Sequence, residues 1–487
     1  MSVHLELAHK AYSNNNPSAA LHHLTDLYEQ LSDCSFPGGV RAADELLETI
    51  GQTLWSSISA DHPVTRPLQG NLILATVVFP TGGHTPVIKD LAEALSEKPC
   101  GLWLTMAHRT GKTYLADGAL PRTGLAEVAR IFDSSNPWEC TRKMVESIAQ
   151  LRPAKVFLLH HPSDCIAVVV AAAAAAMGCT LCLLHHSDAQ PTCGLFLKNI
   201  QIVDFTPRVC AYTRTILNLP SAWVPLASPD PGSPLSDFMS TGRLRTALSG
   251  SSWKVKAMSS PNYPKLVANI LAQTEGTHIH IGPLSKKMKR AIDTQLHCKG
   301  LKPEQFQQIP KVQTLAGALY DYKIDLMLNT YPHGGARTAV EAMSAGIPML
   351  WRSRYRELDL WYGQTRFPEA MIWREEDDLL TLLKGVDREW LQKQGDAARS
   401  WYLLQHHPSL WQQAFSNLEP AFERKLPKGY DATLLLKGNF NNNLEKLILL
   451  KGNLNNNPER LKVKTGRRPF LKRLLSRISH KDRYERV

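Results

Sequence analysis

Ile324-Asp-Leu-Met-Leu-Asn-Thr-Tyr-Pro-His-Gly-Gly-Ala-Arg-Thr-Ala-Val-Glu-Ala-Met-Ser-Ala-Gly-Ile-Pro-Met-Leu-Trp351 is the stretch that decides the fold. A buried strand runs into a Gly-Gly loop, a helix follows, and Gly346 ends that helix before the next strand. Two glycines at a helix N-terminus leave backbone N–H groups exposed in a favourable dipole, an arrangement that suits a diphosphate. Thr338 adds a hydroxyl in the first turn and Arg337 a cation. Glu341, one turn further in, could accept both hydroxyls of a ribose. Gly334-Gly335 alone would favour a plain strand–loop–helix connection in which the glycines serve only the turn.

The surrounding pattern gives this loop a context. From Asn71 onward, short apolar strands alternate with helices: Leu72–Phe79, Lys155–His160, Thr180–His185 and Ala222–Leu226 read as strands, with Val87–Leu95 and Ile166–Ala176 as helices. Ala227–Ser236 gathers three prolines, a glycine and three serines, a linker composition. The alternation then resumes, with strands at Arg245–Ser249, His278–Ile281, Ile324–Asn329 and Ile347–Trp351 and helices at Tyr263–Gln273 and Thr338–Ala345. Such alternation predicts an α/β chain with parallel sheets covered on both faces. The expected organisation is a helical segment (1–60), a first Rossmann-like domain (70–226), a linker (227–243), a second Rossmann-like domain with closing helices (244–420) and a basic tail (421–487). Parallel sheets bind ligands beyond the carboxyl ends of their strands, so the two domains should face a shared cleft.

The 324–351 segment resembles the donor-site signature of GT-B glycosyltransferases, a strand and glycine loop leading to a helix that reads Glu-Ala-Met-x-x-Gly-x-Pro. It is most similar to bacterial relatives of the protein O- and N-glycosyltransferases that use UDP-sugars. The resemblance implies that Glu341 holds the donor ribose and that Gly334, Gly335, Arg337 and Thr338 hold the diphosphate. Retaining members usually carry a glutamate eight positions before the ribose glutamate; this chain has His333 there, a donor-side residue that departs from the retaining pattern. Further similarity extends over roughly residues 70–400. Pro80-Thr-Gly-Gly-His84-Thr-Pro is similar to the first strand–loop–helix of the acceptor domain. Ser249-Gly-Ser-Ser-Trp-Lys254 stands where the family places a basic residue on the donor phosphates, with Lys256 as a competitor to Lys254. His278-Ile-His-Ile-Gly282 resembles the strand and glycine beside the nucleotide base.

His84 is the first candidate for a general base, since a histidine at the carboxyl end of a strand faces the cleft and its ordinary pKa of about 6.5 suits removal of a hydroxyl proton. The resemblance also implies a cleft histidine in this loop. His186 is the second candidate; His160, His161, His185 and Asp188 end neighbouring strands and compete. The chain has no Asp-x-Asp, so no metal is expected, and Lys254, Arg337 and the helix N-terminus would offset the leaving-group charge.

Composition bounds the rest. At 487 residues, two or three domains are expected. The net charge of +12 is concentrated in residues 421–487, which hold 17 Lys/Arg against 6 Asp/Glu. The basic balance thus describes a tail and not a nucleic-acid-binding body. That tail repeats Lys437-Gly-Asn-Phe-Asn-Asn-Asn-Leu-Glu-Lys-Leu as Lys451-Gly-Asn-Leu-Asn-Asn-Asn-Pro-Glu-Arg-Leu. It ends in a basic stretch with Leu471, Leu474, Leu475 and Ile478 on one helical face, fit either for an anionic membrane surface or for solvent. Met1–Lys10 lacks the apolar core of a secretory signal, and a cytoplasmic protein is expected.

Two further features have plain readings. Cys165–Leu184 is free of charge and long enough to imitate a membrane span, but its alanine run, Gly178 stop and β-rich end read as a buried helix followed by a buried strand. Of nine cysteines, Cys179 and Cys182 sit in a turn and strand without a second pair, so buried free thiols are expected. At the N-terminus, two helices split by Asn14-Asn15-Asn16-Pro17 look like part of a tetratricopeptide unit, one too short to bury its own face. The expected activity is metal-independent sugar transfer from a nucleotide-sugar donor, UDP-sugar favoured and with no further cofactor, to a glycan, lipid-linked or protein acceptor. A sugar-nucleotide epimerase of the same fold and a non-catalytic sugar-nucleotide-binding adaptor are the alternatives.

Overall fold

The computed structural model describes residues 3–32, 38–62, 67–79, 83–107, 118–133, 135–186, 190–255, 262–331, 334–353 and 365–416. They all fall within one compact unit, Met1–Gly438. His333, Asp188, Lys256 and the whole basic tail with its repeats lie outside the described residues.

Two parallel sheets carry the chain. The first has seven strands, β1 (Asn71–Ala75), β2 (Gly101–Leu104), β3 (Ala129–Ile131), β4 (Lys155–Leu159), β5 (Thr180–His185), β6 (Ile200–Asp204) and β7 (Ser221–Trp223), in the order β3-β2-β1-β4-β5-β6-β7. The second has six, β8 (Arg245–Ser249), β9 (Thr277–Ile281), β10 (Phe306–Ile309), β11 (Leu326–Leu328), β12 (Met349–Arg352) and β13 (Met371–Trp373), in the order β10-β9-β8-β11-β12-β13. In each, the chain lays down three strands in one direction and then reverses to the other side of the first. The reversal leaves a crevice between β1 and β4 and another between β8 and β11, where ligands of open α/β sheets bind.

The central strands follow the sequence reading within a few residues, and β1, β4 and β8 are buried along nearly their whole length. The first strand stops at Ala75 rather than Phe79, because Thr76 turns out of the sheet to donate its hydroxyl to Asp164 (2.6 Å). The edge strands β3, β10 and β13 had no sequence signal, since they are short and only partly buried.

The N-terminal segment forms three helices, α1 (Val3–Ser13), α2 (Pro17–Leu31) and α3 (Arg41–Ile58). Asn16 caps α2 by accepting from Ala19 N–H, with Pro17 in the first turn. The tetratricopeptide-like pair therefore finds its partner in α3 and the first sheet's helices. Cys165–Ala176 is one helix, buried through Ala174, and α3 lies on it so closely that a Cβ on Gly51 would stand 2.5 Å from the Val169 carbonyl oxygen and 2.7 Å from Ala172 Cβ. The alanine run is thus a packing surface with small residues on both sides. Among the described residues no helix is long and apolar enough to cross a membrane. The described cysteines are free, and six of the eight are buried.

Asp44 pegs the N-terminal helices to the first sheet. Its buried carboxylate accepts from Gly194 N–H (2.9 Å), Phe196 N–H (3.0 Å) and the Tyr28 hydroxyl (2.7 Å). Desolvation outweighs these donors and pushes its pKa up to about 6.

The chain finally crosses back. Helices Arg388–Gln405 and Pro408–Ser416 run from the second sheet to the first, where Trp411 stacks on Phe205 and its indole N–H donates to the Pro225 carbonyl (2.7 Å). Tyr402 and His406 bond the Ser228 and Leu226 carbonyls, fastening the linker beneath the crossing.

Candidate active site

Both switch points carry residues that the sequence singles out. At the first, helix α4 (His84–Ala94) begins at His84 beside the end of β4. The His84 Nε2–H donates to the Leu159 carbonyl (2.9 Å), which leaves the lone pair on Nδ1, a buried atom with no hydrogen-bond partner. The half-buried His186 follows β5, and its ring centroid is 4.9 Å from that of His84. The two base candidates, 102 positions apart in the chain, therefore share one spot.

The ordinary pKa of about 6.5 assumed from the sequence does not hold there. Burial lowers the His84 pKa to about 4, against the opposing effects of the Leu159 and Val77 backbone. His186 is pulled well below its usual value by burial, then by the charges of His84, His160, His161 and His185. Both rings are neutral at pH 7 and able to accept a proton.

The competing histidines have structural partners. His160 Nε2–H donates to the Cys193 carbonyl (3.0 Å), and His185 Nδ1 lies 2.8 Å from Asp204 Oδ1 with both side chains fully buried. His161 Nδ1 is 3.0 Å from the Ser163 hydroxyl.

At the second switch point the loops after β8, β9 and β11 interlock. Gly282 has φ +136°, and a Cβ there would stand 2.3 Å from the Gly250 carbonyl oxygen, so only glycine fits. Gly250 in turn packs on Thr330 and on the Lys254 stem, with its ideal Cβ 2.7 Å from Thr330 Cγ2 and 3.5 Å from Lys254 Cδ. The Lys254 ammonium lies 5.7 Å from the exposed Trp253 ring, and burial lowers its pKa. A phosphate beside it would restore the charge that burial disfavours. His278 and His280, on the strand that leads to Gly282, are core groups. Tyr263 bridges them through its hydroxyl (3.1 and 2.7 Å), and His280 Nε2–H donates to the Gly250 carbonyl (2.9 Å). Burial drops their pKa values to about 3 and about 4.

The Gly-Gly loop is held by a residue that the sequence reading passed over. Asn329, nearly buried at the end of β11, accepts through Oδ1 from Thr330 N–H (2.9 Å) and Gly335 N–H (3.0 Å). A polar residue closing an apolar strand just before two glycines is the signal that could have found it. The helix Ala336–Ser344 follows, with the Thr338 hydroxyl folded back onto the Gly335 carbonyl (2.9 Å).

The Arg337 guanidinium, expected on the donor phosphates, is engaged within the protein. Its Nη1 donates to the Asp90 carboxylate on α4 and to the Ala227 carbonyl (2.6 Å), while Nε donates to Glu341 Oε1 (3.2 Å). The guanidinium therefore joins both lobes and the linker. Glu341 is positioned from two sides, since Leu315 N–H donates to its other oxygen (3.0 Å). The same contact brings the lobes close: an ideal Cβ on Gly83 would lie 3.2 Å from Arg337 Cβ. The N-termini of α4 and of Ala336–Ser344 thus meet across the cleft with the residues predicted for acceptor and donor on either side.

No family model and no curated protein matches the chain by sequence. Solved structures do match by shape. The lipopolysaccharide outer core galactosyltransferase WaaB in its apo form is similar at TM-score 0.51 and 12% identity, over 71% of this chain and 97% of that one. A glycosyltransferase from Rickettsia africae gives 0.52 at 12%, over 71% and 96%. HepE of Anabaena in complex with UDP-glucose gives 0.51 at 12%, over 71% and 98%. With two Rossmann-ordered sheets, facing helix N-termini and closing helices that return to the first lobe, the chain has the GT-B fold that these glycosyltransferases share.

Proposed function

We propose that this protein is a glycosyltransferase that carries a sugar from a nucleotide-sugar donor in the second lobe to a hydroxyl-bearing acceptor in the first. The observation that carries the reading is the convergence of the two switch points, the His84–His186 pair on one side and the Lys254, Gly334-Gly335 and Glu341 group on the other. The HepE structure in complex with UDP-glucose makes a UDP-sugar the first donor to try.

In this reading the diphosphate lies against the Gly334-Gly335 loop, which Asn329 holds in place through the Gly335 N–H, at the positive end of Ala336–Ser344, with Lys254 opposite. Glu341, already fixed by Arg337 and Leu315 N–H, keeps lone pairs free for the ribose hydroxyls. The acceptor oxygen attacks the sugar's anomeric carbon, the bond from that carbon to the phosphate oxygen breaks, and the electron pair leaves with the nucleoside diphosphate. His84 or His186 takes the hydroxyl proton on a ring nitrogen. Lys254 and the helix N-terminus stabilise the departing charge. The acceptor, whether glycan, lipid-linked sugar or protein, is set by the first lobe's surface.

The test is a panel of UDP-, GDP- and other sugar nucleotides on the purified chain, followed by thermal shift, release of nucleoside diphosphate and analysis of the recovered donor. Stabilisation by one sugar nucleotide with slow diphosphate release supports transfer. A recovered donor converted to its epimer without diphosphate release assigns the epimerase chemistry instead, and binding without either change assigns the adaptor.

A further inference from the structure

We propose that the N-terminal helical hairpin is a zinc site, with His4 of α1 and His23 and Asp26 of α2 as the ligands. His23 and Asp26 are three positions apart and share a face of α2. His4 reaches that face from the antiparallel neighbour. One ring nitrogen of each histidine and one Asp26 carboxylate oxygen lie within 4.8 Å of one another. Zinc bonds of about 2.0–2.2 Å place tetrahedral ligands roughly 3.3 Å apart, so small rotamer changes of three half-buried side chains close the site.

The hydrogen bonding of the cluster points the same way. His4 Nδ1 and His23 Nδ1 are both buried, and neither has a hydrogen-bond partner. Such orphaned polar atoms are unfavourable unless something else satisfies them. His4 Nδ1 stands 3.9 Å from Asp26 Oδ2, too far for a hydrogen bond and suitable for a shared cation between them. The other face of His4 is braced: its Nε2 lies 2.6 Å from the Gln30 amide nitrogen position. Since amide orientation follows from the network, Gln30 turned to present its oxygen accepts the Nε2–H and leaves the lone pair on Nδ1. This is the outer-layer contact that orients a metal-binding histidine.

The donor set selects the metal. Two imidazoles and one carboxylate suit zinc, whereas calcium and magnesium favour oxygen ligands. A fourth position is left for water or for His22, whose Nε2 is 3.5 Å from Asp26 Oδ2 and whose side chain is 70% exposed. Among the described residues, the ion-pair contacts of Asp26 are to imidazoles alone, so a divalent ion would supply the cation that the carboxylate lacks. The structural gain is clear as well. Helix α1 buries only Leu5 and Ala8, and a His4–zinc–α2 bridge would fasten it at its first turn.

The experiment uses the full chain without a histidine tag, stripped of metal with a chelator. Zn2+ is titrated by calorimetry, and Co2+ serves as the spectroscopic probe of tetrahedral nitrogen and oxygen ligation. One equivalent should bind and raise the thermal midpoint. That equivalent should weaken at least tenfold in His4→Ala, in His23→Ala and in the near-isosteric Asp26→Asn, and survive in His9→Ala, which alters an exposed histidine of the same helix. Gln30→Ala should weaken it about 10–100-fold. Circular dichroism at 25 °C confirms that each variant is folded. No stoichiometric Zn2+ in the parent, or an equivalent that survives in His4→Ala and Asp26→Asn, overturns the assignment.

Discussion

The imidazole rings of His84 and His186 stand 4.9 Å apart at the carboxyl end of the first sheet, although they come from loops after different strands. Burial lowers the pKa of both, and the charge of His84 lowers that of His186 further, so the two rings are not equivalent bases. His84→Ala and His186→Ala should therefore behave differently. The variant that removes the base loses about 10²–10⁴ in turnover. The other loses less, and donor affinity should stay within a few-fold in both. Single-turnover rates with a saturating donor decide between them. Parental turnover in both variants would place the base elsewhere.

The same pair sets a pH dependence. With the folded pKa of His84 at about 4 and the unfolded value near 6.5, the unfolded chain binds the extra proton first. Stability from this group is present above about pH 6.5 and is lost as the pH falls toward 4. For catalysis by His84, kcat/KM should stay flat from pH 7.5 to below 6 and bend only near 4. An acid limb centred at 6.5 that disappears in His84→Ala would contradict the buried placement.

How far these features were legible in the sequence depends on their range. The Gly334-Gly335 loop, the Glu341 helix and the buried strands are encoded within a few residues by apolar runs and glycine, so periodicity finds them. His84 and His186 were both readable as strand-end histidines, but nothing local says that two loops meet. The Arg337–Asp90 pair spans 247 positions and two lobes, and no spacing rule reaches that far. Depressed pKa values escape for a related reason: burial at a site is a property of the assembled loops, while a sequence supplies only the unperturbed value.

Glu341→Ala should weaken donor binding with little effect on the fold. Its carboxylate accepts from Arg337 and Leu315 N–H, and the remaining lone pairs are those proposed for the ribose. Hydrogen bonds to a charged group are worth about 1.5–3 kcal/mol, a loss of roughly 10–150-fold in Kd. Calorimetry with the nucleoside diphosphate reads this directly. Unchanged affinity would remove the donor site from this helix.

Asp44→Ala should destabilise the N-terminal helices, because Gly194 N–H, Phe196 N–H and the Tyr28 hydroxyl all lose their acceptor. Each unsatisfied buried donor costs about 1–3 kcal/mol. The pH course is distinctive. A carboxylate whose folded pKa is raised, here to about 6 from an ordinary 3.8, binds its proton more tightly in the folded state. Its contribution therefore declines as the pH rises from about 4 to about 6 and is constant above. The stability gap between parent and Asp44→Ala in urea should narrow across that interval, and a gap that widens would refute the raised value.

Arg337 is expected on the donor phosphates, and its contacts within the protein point to a task in holding the lobes together. The guanidinium is 10% exposed and its partner Asp90 is 8% exposed, so the pair is nearly dry. Desolvation raises the Asp90 pKa, with Arg337 as the main opposing influence. Removing the arginine leaves a carboxylate buried in the lobe interface without its cation, a change that costs about 3–5 kcal/mol. Arg337→Ala should thus lower the thermal midpoint strongly. Asp90→Asn should do so less, since the Ala227 carbonyl and Glu341 still accept from the guanidinium. The double variant should recover part of the loss, giving a coupling energy well above the roughly 0.5 kcal/mol seen for independent sites. A phosphate-binding arginine would show the opposite division: an unchanged midpoint, no coupling to Asp90, and a donor affinity that collapses on its own. Melting curves and diphosphate calorimetry on the four proteins separate the two roles. A stable Arg337→Ala protein that no longer binds nucleotide would return Arg337 to the donor site and leave Asp90 as its resting partner.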